Sequence, residues 1–234
     1  MLNFIGTGSA FNTKLGNNSA YIKNSNSILL IDCGGTVFQN VQQLDLLNGI
    51  KNIYIIITHT HPDHVGSLGD IIFYTYYMLK SKVKLYFPEA AHIKSFFSNI
   101  GVKDEMYQLY SSANAIIEDS SLGKITLQFM STAHTETMPS YGFIMNISGK
   151  TIYYSGDSNS VDSSVVKKFI DGQIDYIYQD TCALDYQGNG HLYIGKLCKL
   201  IPIQYRNRVY CMHLDTDMTE SDIIENGFKV AAKI

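Results

Sequence analysis

Tryptophan is absent from this 234-residue chain, cysteine and proline occur four times each, and no apolar run approaches the ~20 residues that a membrane-spanning helix requires. The four cysteines, Cys33, Cys182, Cys198 and Cys211, are far apart and form no CxxC pair. That spacing argues against a zinc ribbon or a disulfide scaffold, and they read as reduced, mostly buried small residues. Charge of either sign is scarce: the formal balance is −3, which offers no global attraction to polyphosphate and disfavours a large nucleic acid as the principal ligand. The N-terminus lacks a basic segment leading into an apolar stretch, so the expectation is a cytoplasmic protein with no membrane association. No linker, charge block, repeat or low-complexity tract divides the chain, and 45% hydrophobic content suffices for a full core. Residues 1–234 are therefore expected to form one domain.

What the chain does have is strands and helices in alternation. Short strands are expected at 2–6, 19–23 and 27–31, the last closed by Asp32-Cys33-Gly34-Gly35, with a helix over 37–47. A strand at 53–57, a helix over 65–79, a strand at 83–87 and a helix over 90–99 follow. Strands at 125–130, 141–147 and 151–154 precede a helix at 161–170 and a strand at 174–178. The chain closes with a helix at 191–200, a strand at 208–212 and a helix at 219–226. Two packed sheets flanked by helices, with a site along one edge, satisfy this order.

The densest chemical signal is His59-Thr60-His61-Pro62-Asp63-His64, directly after the apolar stretch Ile53 to Ile57. Imidazole nitrogen and carboxylate oxygen suit zinc and other borderline metals, and a loop leaving a buried strand holds them rigidly while facing solvent. Three more candidates stand just beyond strands: His134, Asp157 and His213. Together, His59, His61, Asp63, His64, His134, Asp157 and His213 could serve two metals roughly 3.5 to 4 Å apart, with Asp157 as the natural bridging carboxylate. Gly6-Thr7-Gly8 follows a strand but opens no helix, so it reads as a tight turn beside the site rather than a phosphate cradle. His92 has no motif around it and reads as a surface helix residue.

The motif HxHxDH, followed by a lone His, an Asp and a final His in that order, resembles the metallo-β-lactamase-fold hydrolases over nearly the whole chain. That resemblance implies an α/β fold of the αββα sandwich type, two mixed β-sheets flanked by helices. It also implies His59, His61 and His134 on one metal, Asp63, His64 and His213 on the other, and Asp157 between them. Two zinc ions are the implied cofactors, with manganese or iron as alternatives, and Asp32 becomes a support for the metal-facing histidines. The stretches Phe4 to Ala10 and Asp32 to Thr36, together with His191, look like the branch containing the tRNA 3′-processing nucleases (ribonuclease Z). His191 stands 22 positions before His213, as does the histidine that protonates the leaving oxygen in that branch. Asp180 occupies the place of the acidic residue that orients it. Asp63, His191 and Asp180 are thus the catalytic candidates, Asp63 orienting the attacking water.

The nuclease branch holds tRNA with a long basic, glycine-rich arm, whereas the segment from Asp180 to His191 spans only about ten residues, an ordinary connection. The compact form resembles instead the cyclic-nucleotide phosphodiesterases of this fold, especially the anti-Pycsar proteins of phages and related bacteria. Similarity to them implies hydrolysis of nucleoside 3′,5′-cyclic monophosphates to 5′-monophosphates, loss of an immune second messenger, and a homodimer; a phage protein would act in its host's cytoplasm. Tyr74 to Tyr77 and Tyr107 to Tyr110 are available for base stacking or a dimer contact, with ordinary core and surface packing as the simpler reading. A ribonuclease Z-like tRNA-processing endonuclease is the alternative. Thioester or lactone hydrolysis leaves His191 without a task, and a non-hydrolytic metal sensor leaves the full constellation unexplained.

Overall fold

A computed structural model describes residues 1–233. The first half of the chain builds a six-stranded sheet in the order β1 (Asn3–Gly6), β2 (Ser19–Asn24), β3 (Ser27–Ile31), β4 (Asn52–Ile56), β5 (Val83–Tyr86), β6 (Tyr107–Tyr110). Its first two pairings are antiparallel and its last three parallel. The second half builds a seven-stranded sheet from β7 (Asn114–Asp119), β8 (Gly123–Ser131), β9 (Tyr141–Ile147), β10 (Lys150–Tyr154), β11 (Tyr176–Asp180), β12 (Val209–Met212) and β13 (Lys229–Val230). There the chain pairs antiparallel from β7 to β10 and parallel from β10 to β13.

Side-chain alternation explains the layering. Strand residues point to opposite faces with period two, so a strand buried on both sides reads as a continuous apolar run. In β3, Ile28 and Leu30 pack under the helices α1 (Val37–Gln43), α3 (Leu68–Tyr77) and α4 (Ala90–Asn99), whereas Leu29 and Ile31 face the other sheet. β4 repeats this, with Ile53 and Ile55 outward and Tyr54 and Ile56 between the sheets. On the far side, Tyr153, Ile177, Val209 and Cys211 pack against α5 (Ser163–Ile170), α6 (Ile194–Leu200) and α7 (Glu220–Glu225), while Tyr154, Tyr178 and Met212 turn inward. The result is the four-layered αββα sandwich with two mixed sheets that the sequence led us to expect. All four cysteines are free, and Cys33, Cys182 and Cys211 are buried.

The expected elements need correction in two respects, one helix and three strands. The helix expected over 65–79 is two pieces, α2 (Pro62–Val65) and α3, because the Ser67 amide donates to Cys33 O at 3.1 Å instead of continuing the ladder. The Ser67 hydroxyl reinforces the break by hydrogen bonding Gly34 O and the Phe38 amide, a local competition that serine is prone to. Strands β6 and β7 were not anticipated, nor was the short β13. The tyrosines at 107–110 belong to a strand, where Tyr110 stacks on Tyr86 with ring centroids 4.8 Å apart. Of the α3 tyrosines, Tyr74 and Tyr76 pack on the first sheet's helical face, Tyr74 against Phe38, and Tyr77 is exposed.

Candidate metal centre

Both sheets deliver their chemistry to one edge. Asp32 follows β3, His59 follows β4, Asp157 follows β10, Asp180 ends β11 and His213 follows β12, all at the C-terminal ends of parallel strands. His134 joins them because β8 and β10 are each antiparallel to β9 and so run in the same sense. Ligands in open α/β sheets bind at this edge. Two of these residues adopt left-handed backbone angles uncommon outside glycine, Asp32 with φ of 59° and His213 with φ of 55°. Strain of this kind concentrates at functional sites.

The seven candidate ligands converge as two groups that share Asp157. In the first, His61 Nδ1 lies 3.0 Å from His59 Nε2 and 3.1 Å from His134 Nε2, with Asp157 Oδ2 3.7 Å from both Nε2 atoms. In the second, Asp63 Oδ2 lies 3.4 Å from His64 Nε2 and 3.1 Å from His213 Nε2, with Asp157 Oδ1 3.2 Å from His64 Nε2. A tetrahedral zinc with bonds near 2.0–2.1 Å requires donor separations of about 3.3 Å, so both cradles have the right size. Asp157 Oδ1 is buried and has no hydrogen-bond partner, and facing ring nitrogens need a proton or a cation between them.

Electrostatics point the same way. Burial would raise the carboxyl of Asp63, but hydrogen bonds from His213 and His64 outweigh it and hold it far below the usual range. Burial likewise opposes ionisation of Asp157, and His213, His64 and His59 overcome it. His213, which burial alone would lower, is pushed up to about 10 by the carboxylates of Asp157, Asp180 and Asp63. His59 goes the other way: burial and the neighbouring His64 hold it well below its ordinary value. A buried cluster that keeps Asp63 and Asp157 ionised, and draws protons onto His64 and His213 while denying them to His59 and His61, demands positive charge from elsewhere, which a divalent cation supplies.

The outward nitrogens are held as well. His64 Nδ1 meets Asp32 Oδ2 at 2.9 Å, and His134 Nδ1 meets Gly190 O at 3.1 Å. His59 Nδ1 lies 3.1 Å from Thr58 Oγ1, which donates to Asp32 Oδ2 at 2.8 Å, so Asp32 braces one histidine of each group. Such partners fix ring orientation and tautomer. Thr58 and Gly190 were not singled out in the sequence. A Cβ on Gly190 would sit 2.8 Å from His134 Nδ1, so only glycine lets the loop before His191 approach so closely.

His191 stands beside the cluster with its ring stacked on His213 at 5.0 Å. Its Nδ1 is 2.7 Å from Asp180 Oδ2, and Asp180 is fully buried. Burial would lower the His191 pKa, but Asp180 more than compensates and raises it. His92 is not a free surface residue: it is half-buried and lies 2.7 Å from the hydroxyl of Thr60, between two of the clustered histidines.

A cavity of about 730 Å³ opens over this edge, lined by His61, Asp63, His134, Asp157, His191 and His213 on its floor. The loops that carry Phe11 and Tyr186 line it as well, with Gly35, Pro62, Asp215 and Asp217; neither lysine nor arginine contributes among the described residues. Neither the 74–77 nor the 107–110 tyrosine stretch lines it, which removes them as base-stacking groups in this cavity. Among the described residues no helix is long and apolar enough to cross a membrane.

Known structures share this architecture. A metallo-β-lactamase-fold protein of Bacillus subtilis superposes with a TM-score of 0.73 at 17% identity, covering 98% of this chain and 92% of that one. A diphosphatase of the PhnP family gives 0.75 at 17% identity, covering 99% and 94%. The human short-form tRNase Z gives 0.63 at 18%, covering 99% and 96%. At these identities the likeness establishes the fold. Closer in sequence, the Anti-Pycsar protein Apyc1 of Paenibacillus xerothermodurans is 27% identical over 231 residues, covering 94% of this chain and 89% of its own length. That of Bacillus phage BSP38 is 27% identical over 239 residues, covering 94% and 90%. The Anti-Pycsar protein Apyc1 family profile matches residues 1–233, and the chain belongs to that family.

Proposed function

We propose that this metal-dependent hydrolase is a dinuclear phosphodiesterase that converts nucleoside 3′,5′-cyclic monophosphates, such as cAMP, cGMP, cCMP and cUMP, to 5′-monophosphates. In doing so it would remove a second messenger of antiphage immunity. One observation carries the reading: a His191–Asp180 pair, 2.7 Å apart, stands beside the two cradles in a cavity of small-molecule size. Hydrolysis of a phosphodiester needs a water at phosphorus and a proton on the departing oxygen, and the site offers a group for each.

His59, His61 and His134 would hold one cation and Asp63, His64 and His213 the other, with Asp157 shared between the two groups. The mixed nitrogen and oxygen donors suit zinc first, with manganese or iron as alternatives. Bound cations would polarise water and neutralise the phosphoryl oxygens. Asp63 would accept a hydrogen bond from the attacking water and orient it for in-line attack. Asp180 fixes His191 through Nδ1, which leaves Nε2 to give its proton to the 3′ oxygen as the P–O3′ bond breaks. The products are a nucleoside carrying a 5′-phosphate and a free 3′-hydroxyl.

The tRNA-processing alternative needs cationic side chains to grip a backbone, and among the described residues the cavity lining has none. We also place this protein in the cytoplasm, as a homodimer; the outward apolar face of α3, with Phe73 stacked on the exposed Tyr77, is the surface offered for that contact. Sedimentation at micromolar concentration tests it, with a monomer mass as the contrary result. The activity is tested with bis(p-nitrophenyl) phosphate, the four cyclic nucleotides and a precursor tRNA, each with and without chelator. Chelator-sensitive turnover of the cyclic nucleotides and none of the tRNA is expected; the reverse would select the alternative.

A further inference from the structure

The mouth of the metal-centre cavity carries apolar side chains that the chemistry at its floor does not use. Phe11 is 88% exposed, Tyr186 59% and Leu184 54%, and all three line the cavity. They stand on loops otherwise rich in polar residues, so hydrophobic packing within the chain does not account for them.

These loops are positioned. The side chain of Asn12, next to Phe11, is buried and donates to Leu214 O at 3.2 Å and Asp215 O at 3.0 Å. On the other side, the Ala183 amide donates to Asp215 Oδ2 at 2.9 Å, and Asn189 donates to Leu184 O at 3.0 Å through its side chain. Asp215 therefore ties both loops to the strand end that presents His213, two residues away. The aromatic rim is held in fixed register with the metal cradles.

We propose that Phe11 and Tyr186, flanked by Leu184, form the seat for the nucleobase of the substrate, gripping it by its faces. The inference rests on the cyclic-nucleotide reading and adds to it where the base lies and what holds it. A cyclic nucleotide with its phosphate on the cavity floor must project its base toward the mouth. Apolar and aromatic side chains meet a base through its π-face, a contact every base can make.

The test compares the metal-loaded wild type with Phe11→Ala, Tyr186→Ala, the double variant and Tyr186→Phe. The substrates are 3′,5′-cyclic AMP, 3′,5′-cyclic UMP and the abasic 1-deoxyribose 3′,5′-cyclic phosphate. Both alanine substitutions are at exposed side chains, and metal content together with abasic turnover confirms that the floor is intact. For both nucleotides, kcat/KM is expected to fall about 10- to 100-fold in the double variant, mainly through KM. Tyr186→Phe should keep near-normal values, and the abasic substrate should be turned over equally slowly by every form. Unchanged kcat/KM on the nucleotides, or an equal loss on the abasic substrate, would overturn the seat while leaving the activity standing. A wild type that cleaves no cyclic phosphate at all would overturn both.

Discussion

At the scale of single residues, the site separates groups that would hold metal from groups that act beside it. His191 touches Asp180 and His213 and completes neither cradle, so His191→Ala is expected to retain metal and lose about 10²- to 10⁴-fold in kcat. Metal content by elemental analysis alongside steady-state kinetics checks this, and loss of metal would contradict it. Asp32 accepts from Thr58 N at 2.8 Å, from Thr58 Oγ1 and from His64, three donors that an asparagine amide cannot all satisfy. Asp32→Asn is expected to weaken metal binding about 10- to 100-fold, read from chelator competition. The His59–His64 cluster was legible because its pattern is local, and His134, Asp157 and His213 because each follows a recognisable strand. Phe11, Tyr186, Thr58 and Gly190 were not, since only the tertiary fold says which loop faces the cavity and which hydroxyl lies behind a ring.

At the scale of elements, two contacts show how strands and loops hold the edge open. A Cβ on Gly34 would collide with the backbone carbonyl of Asp63, so the turn after β3 closes on the metal loop only as glycine. Gly34→Ala is expected to lower both metal content and thermal stability, and a variant with normal values of both would refute the role. Asp119, at the end of β7, accepts hydrogen bonds from Ser27 and Tyr54, each at 2.9 Å, and so ties the two sheets together away from the site. Burial would raise its carboxyl, but hydrogen bonds from Leu122, Ser121, Ser27 and Tyr54 outweigh it and lower the pKa. The stabilisation is then present above the unfolded carboxylate pKa of about 3.9 and is lost as the pH falls through the lower folded value. Asp119→Asn should destabilise the protein by ~0.5–1.5 kcal/mol at neutral pH and flatten the acid limb of stability against pH, with metal content unchanged. Denaturant titrations over a pH series measure both. Elements of clear alternation or period were readable from the sequence; β6, β7 and β13 were not: in β6 Tyr107 and Leu109 turn to the core and Gln108 and Tyr110 away, but four residues carry too short an alternation to read without the pairing to β5.

At the scale of the whole molecule, two half-chains each build a sheet, and each sheet sends strand ends to one edge where neither half alone completes the cluster. His59, His61, Asp63 and His64 come from the first sheet's connections, and His134, Asp157 and His213 from the second's. Metal held by this cluster would therefore be coupled to the docking of the sheets. Chelation should lower the thermal midpoint as well as abolish turnover, because a ligand that binds only the folded state stabilises it by mass action. A midpoint indifferent to chelator would separate the cluster from the fold. The sandwich itself was foreseeable from the order of strands and helices, while the shape of the cavity mouth was not, since it depends on loops whose paths are set by long-range hydrogen bonds such as Asn12 to Asp215. The most direct test of the central claim is phosphorus NMR of a 3′,5′-cyclic nucleotide incubated with the metal-loaded protein. Replacement of the cyclic phosphodiester resonance by that of the 5′-monophosphate is the predicted result; a cyclic resonance that persists beside fully metal-loaded protein would contradict it.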